Sequence, residues 1–233
     1  MNGQNGVYFV PRRSARKRKR YGAGILIVVL LLLTAGICAL AVMLPKITDV
    51  GAPPVQTGFS GRSFYVLSTG ECDELTEARL LAKDTADRGG AGYLFNDGKY
   101  RVVAAVYSRE ADAKLLSGVN ENSYYFELKL PAVVGVGDSK ALEYFAGEWF
   151  ETVANAAGDL ERGKITEAAA EFAVTSAVNK LSVAACSCET PAIGSAMTPF
   201  EPVGTTVLNR IRYIQARAVA DVYFALCALR TAE

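Results

Sequence analysis

Residues 23–44 are uncharged and almost wholly apolar, whereas the rest of the chain mixes apolar and polar positions on short periods. A helix over those 22 residues rises about 33 Å, enough to cross a bilayer core, so the run predicts a transmembrane helix. Residues 45–61 hold Pro53-Pro54, Gly51, Gly58 and Gly61 without periodicity, the composition of a linker. From residue 63 the pattern predicts strand, helix, strand, strand, helix, strand. Phe64-Tyr65-Val66-Leu67 is an apolar and aromatic run closed by Ser68, Thr69 and Gly70. Asp73 is placed to cap a helix with Leu75, Ala78, Leu81, Ala82 and Thr85 on one face, stopped by Gly89-Gly90. Residues 91–95 and 99–107 read as a hairpin about Asn96-Asp97-Gly98, residue types that accept a tight turn. Ser108 precedes a short helix with Ala111, Leu115 and Leu116, and residues 124–130 supply a fourth strand closed by Pro131. Two helices needing cover beside four strands favour an antiparallel βαββαβ sheet with both helices on one face. The other face is then free.

After a connector at Val133-Val134-Gly135-Val136-Gly137 the period becomes helical. Asp138 or Ser139 is placed to cap a helix bearing Leu142, Phe145, Trp149, Val153 and Ala156, with a break between Gly158 and Gly163. Thr166 opens an alanine-rich helix to about residue 185, with Ala169, Phe172, Val174, Val178 and Leu181 apolar. A loop holding Pro191, Pro199 and Pro202 leads to a last helix over about 205–230. Its stripe is Leu208, Ile211, Gln215, Ala218, Val222, Ala225 and Leu229, with Arg217 and Asp221 one turn apart on the other side. These helices form a small bundle or pack back on the sheet. The fold class is thus α+β: a transmembrane helix, a four-stranded sheet domain over 62–131, and a helical C-terminal domain over 138–233.

Charge orients the span. Arg12, Arg13, Arg16, Lys17, Arg18, Lys19 and Arg20 precede it within an arm over 1–22 that holds no acid, leaving 18 basic against 24 acidic residues beyond. Positive charge beside a first span holds that end in the cytoplasm and places residues 45–233 outside. Ala39-Leu40-Ala41 resembles a signal-peptidase site, but the apolar run is longer than a usual signal core and continues past it. The basic cluster lacks interleaved aromatics, so it reads as a topology signal facing anionic lipid and not as a nucleic-acid patch. The mildly acidic outer part has no bulk attraction for a polyanion.

Four cysteines, Cys72, Cys186, Cys188 and Cys227, fall outside the span, too few for a disulfide scaffold and wrongly spaced for common zinc sites. They read as buried thiols or one optional disulfide. The chain has no histidine, which excludes Ser-His and Cys-His nucleophiles. Glu143, Glu148, Glu151 and Asp159 are the carboxylates a glycoside hydrolase would need, but charge on a solvated helix face is their ordinary explanation, no spacing marks a Ser-Lys dyad, and no catalysis is expected. No cofactor or metal set is indicated.

The ordered segments FYVLSTG, EARLLAKDTADRGGAGYLF, GKYRVVAAVYSREADAKLL and YYFELKL resemble a SPOR (sporulation-related repeat) domain of bacterial envelope and division proteins. Ala78 and Leu81, Gly98, Tyr100-Arg101-Val102 and Ser108-Arg109-Glu110-Ala111 occupy the places of the family pattern. The resemblance implies binding of peptidoglycan glycan strands on the open sheet face, by Leu67, Thr69, Gly70, Lys99, Arg101 and Phe126. Guanidinium donors suit sugar carboxylates and hydroxyls, and an aromatic can stack on a sugar ring. The chain departs from the family at Leu67, where glutamine is common, at 103–107, which lacks a Gly-Pro, and at Lys99, where an aromatic is common. The sequence thus predicts a single-pass membrane protein that binds peptidoglycan in envelope, division or sporulation processes, with an envelope protein contacted through the helical domain. The alternative is a scaffold without glycan contact.

Overall fold

The computed structural model describes residues 58–118, 123–198 and 204–231. The basic arm over 1–22, the span over 23–44 and most of the linker lie outside them. Among the described residues no helix is long and apolar enough to cross a membrane.

The last residues assigned to the linker are ordered. Gly58–Phe59 (β1) pairs antiparallel with Val133–Val134 (β6). Phe59 is buried, and its amide donates to Ser139 Oγ at 2.9 Å. The main sheet comprises Arg62–Cys72 (β2), Tyr93–Asn96 (β3), Tyr100–Tyr107 (β4) and Tyr124–Leu130 (β5), all antiparallel in the order β3-β4-β2-β5. β2 does not end at Ser68, as its turn-forming residues suggested, but runs on to Cys72 through a bulge. Ser68 is buried there with its hydroxyl donating to the Val102 carbonyl at 3.0 Å, so a residue type suited to turns satisfies an irregular ladder instead. The β3–β4 hairpin turns at Gly98, whose φ of 114° suits glycine.

Leu75–Asp87 (α1) and Glu110–Ser117 (α2) pack on the sheet. α1 buries Ala78, Ala82 and Thr85, whereas α2 buries Ala113 and leaves Leu115 outside. Neither Asp73 nor Ser108 caps its helix: the N-cap residues are Glu74 and Arg109, without side-chain cap bonds.

The expected free face of the sheet is covered. Val136–Tyr144 (α3) continues through a π-helical turn, Phe145–Trp149, into Phe150–Glu161 (α4); Glu167–Cys186 (α5), Pro191–Ala196 (α6) and Val207–Thr231 (α7) follow. Because side chains alternate along β2, Phe64 and Val66 point away from α1 and α2. Phe64 meets Phe150 at a ring separation of 4.5 Å and Phe145 at 6.5 Å. α7 lies on β3, β4 and β5 and on its other side meets α4, α5 and α6. Its burial is correspondingly broader than one stripe, including Asn209, Ala216, Val219 and Ala220 besides Ile211, Gln215, Ala218 and Val222. One apolar core therefore joins sheet and helices, from Phe64 and Leu128 to Trp149, Leu181 and Val219. Of the two arrangements the sequence allowed, the helices adopt packing back on the sheet.

Polar groups fasten this layer. Asn209 Nδ2 donates to the Ala91 carbonyl at 3.2 Å and also to that of Gly90. Arg212 donates to the Gly89 carbonyl at 2.9 Å. Asp138, placed to cap its own helix, instead caps α6. Its carboxylate accepts from the Glu189 and Thr190 amides at 2.9 and 3.0 Å and from the Thr190 hydroxyl at 2.5 Å. Thr166 does cap α5, accepting from the Ala169 amide at 3.3 Å, and Arg217 pairs with Asp221 at 3.3 Å.

Candidate functional site

The six residues proposed for glycan separate into two groups. Leu67 lies opposite Ala105 and Tyr125, on the side of the sheet away from Phe64 and Val66. Tyr125 donates from that side to Glu110 of α2 at 2.8 Å. Thr69 Oγ1 is 2.8 Å from Thr85 Oγ1 of α1. A Cβ on Gly70 would come within 2.7 Å of Leu81 Cδ2, so glycine here permits close approach of the helix. Leu67, Thr69 and Gly70 therefore belong to the side that α1 and α2 cover.

Arg101 and Phe126 come together on the opposite side of the sheet, and Glu71 joins Lys99 to them. Register places Glu71 directly opposite Arg101. Lys99 Nζ is 2.7 Å from Glu71 Oε1 and 4.0 Å from Asp73 Oδ1. Arg101 Nε lies 3.5 Å from Glu71 Oε2 and 3.3 Å from Asp97 Oδ1, and Tyr124 donates to Glu71 at 3.3 Å. The hydrogen bond from Lys99, with the charges of Lys99 and Arg101, holds the Glu71 carboxyl below its ordinary pKa, and Glu71 raises that of Lys99 in return. Burial is the main cause that raises the Tyr124 hydroxyl.

Aromatic packing completes the cluster. The Arg101 guanidinium sits 4.8 Å from the centroid of the Phe126 ring. Phe95 lies 5.5 Å from Phe126 and stacks at 5.0 Å on Phe224 of α7. The ring expected to stack on sugar thus already carries Arg101 and reaches the covering helix through Phe95. Three acids, Glu71, Asp73 and Asp97, beside two cations leave the patch with a slight excess of negative charge and no bulk preference for an anion.

Glu71, Asp97, Tyr124, Phe95 and Phe224 were not singled out as site residues in the sequence, Asp97 being read only as part of a turn. Glu71 could have been found from strand register, because it faces Arg101 only if β2 extends past Gly70. Three of the carboxylates considered for hydrolysis are engaged in ion pairs: Glu148 with Lys180 at 3.4 Å, Glu151 with Arg62 at 3.5 Å, and Asp159 with Arg162 at 2.8 Å. Among the described residues no group of three His, Cys, Asp or Glu side chains is arranged to hold a metal ion. Cys72, Cys186, Cys188 and Cys227 are free thiols; Cys38 lies outside the described residues.

No family model, curated protein or solved structure matches the chain.

Proposed function

We propose that this chain is a non-catalytic interaction module of the bacterial envelope, anchored by residues 23–44 and built on a SPOR-like sheet that serves as scaffold. One observation carries this reading: α7, together with the Phe145–Phe150 segment, occupies the sheet side on which glycan would be bound. The helices that cover it share one core with the strands, so removing them would expose large apolar area. The surface left to partners is then the outer surface of the helical layer and the rim of the sheet.

A second reading keeps peptidoglycan as the ligand, held at the rim by Lys99 and Arg101 with Tyr124 and Phe126. The clustering of Lys99, Arg101 and Tyr124 around Glu71, with Phe126 against the Arg101 guanidinium, favours it. Cosedimentation of the detergent-solubilised full chain with intact and amidase-denuded sacculi separates the two. The interaction-module reading expects the protein to stay in the supernatant with both. Capture that prefers denuded sacculi and is lost in Arg101→Ala would replace it with the rim-binding reading.

A further inference from the structure

Helix α5 has two faces of different character. Ala170, Val174, Ala177, Leu181 and Ala185 are buried within the fold. Ala169, Phe172, Ser176, Asn179, Val183 and Cys186 are all exposed on the other side. Phe172 is 79% and Val183 74% exposed, unusual for large apolar residues. The six recur at alternating intervals of three and four residues, the spacing of a seam that packs against another helix. No charge lies on the seam. Its nearest charged neighbours are engaged within the chain, Glu171 by Arg210 and Lys180 by Glu148.

The seam is its own complement. Read backwards about a point between Ala177 and Val178, Phe172 matches Val183, Ser176 matches Asn179 and Ala169 matches Cys186. An antiparallel second copy would set a large side chain against a smaller one on both sides of a central hydroxyl–amide pairing. Beside Val183 the surface forms a hollow of about 510 Å³ lined by Tyr144, Glu148, Lys180, Val183, Ala184 and Ser187. In such a pairing Phe172 of the second copy would arrive at this hollow, and by symmetry each copy would offer both the ring and the recess.

We propose that α5 is a self-association surface: two copies pair antiparallel about a twofold axis, with Phe172 of each seated beside Val183 of the other. The proposal rests on the interaction-module reading and names its partner as a second copy of this chain. A twofold contact uses one patch twice, and a neutral seam meets its own image without like-charge repulsion. One helix pair of this length covers roughly 30 by 10 Å, about 300 Å² per copy, against ~800 Å² for a stable interface. Association is therefore weak in dilute solution and strengthens when copies are concentrated at one surface.

The test uses the full chain in detergent micelles with Ala169→Cys, which keeps Phe172 and Val183. Positions 169 and 186 of one helix are about 26 Å apart, so a disulfide between them can form only between copies. Oxidation by copper phenanthroline is expected to yield a crosslinked dimer that disappears when Cys186→Ser is added. Phe172→Asp should lower the crosslinking rate at least about tenfold while leaving the thermal midpoint unchanged, because the ring projects from the fold. No crosslink, or one that persists with Cys186→Ser, would overturn the antiparallel pairing. Sacculus capture lost in Arg101→Ala, measured on the same preparations, would instead overturn the interaction-module reading whether or not the crosslink forms.

Discussion

Phe64→Ala tests whether sheet and helices form one cooperative body. Phe64 is fully buried in β2, yet its ring contacts are Phe145 and Phe150, about 80 residues later in the chain. Truncating a buried Phe removes transfer energy and leaves a cavity, costing about 3–5 kcal/mol. Native domains are stable by only ~5–15 kcal/mol. With a urea dependence of about 2 kcal/mol/M, the unfolding midpoint should fall by roughly 1.5–2.5 M. Trp149 is the single tryptophan, 1% exposed and stacked on Phe145 at 5.1 Å, so its fluorescence reports the helical layer. Far-ultraviolet circular dichroism reports the helices as a whole. Both probes should shift together in Phe64→Ala. A Trp149 transition that stays at the wild-type midpoint would refute the shared core and restore two independent domains. Phe172→Ala is the control, expected to change stability by no more than about 0.5 kcal/mol because the site is exposed.

Two further predictions concern titration and reactivity. Glu71 has a folded pKa below its unfolded value of about 4.5, so its contribution is present above that value and lost as pH falls through the lower folded one. Glu71→Gln should therefore show a smaller loss of urea midpoint between pH 7 and pH 3 than wild type; an equal loss would refute the Lys99–Glu71 pairing. Burial, followed by the nearby Asp138 carboxylate, pushes the Cys188 thiol up to about 11, whereas Cys186 is exposed. Because the thiolate is the reactive form, maleimide at pH 8 should label Cys186 well before Cys188, and equal native rates would count against this geometry.

The elements were more legible in the sequence than their partners. The run at 124–130, the Asn96-Asp97-Gly98 turn and the cap at Thr166 are local signals, and each stands where local chemistry put it. Ser68, Thr69 and Gly70 misled because turn propensity and bulge chemistry use the same residues. Asp138 looked like a helix cap and is one, but for a helix beginning over 50 residues later, which no local pattern encodes. Phe172 was grouped with the apolar face of its helix although it stands outside it, since an alanine-rich sequence offers two apolar stripes and only packing selects one. The candidate site divided for a related reason. Leu67, Thr69 and Gly70 were assigned to the same face as Phe126 by likeness to a family pattern, and strand alternation with the bulge sends them to α1 and α2. That the last helix would cover the sheet was not visible in its single predicted stripe. Its second buried side, with Asn209 and Val219, becomes meaningful only once the strands are in place.

The pairing of β1 with β6 also determines how the fold would bear mechanical load. A pull transmitted along the chain toward residue 58 meets a two-residue ribbon and the Phe59–Ser139 hydrogen bond first. Behind it stands β2, eleven residues long and bonded on both flanks, to β4 and to β5. The ribbon can peel one bond pair at a time, whereas drawing out β2 requires two ladders and the Phe64 contacts to fail together. The short ribbon thus acts as a strain relief between residue 58 and the strand on which the whole sheet is assembled.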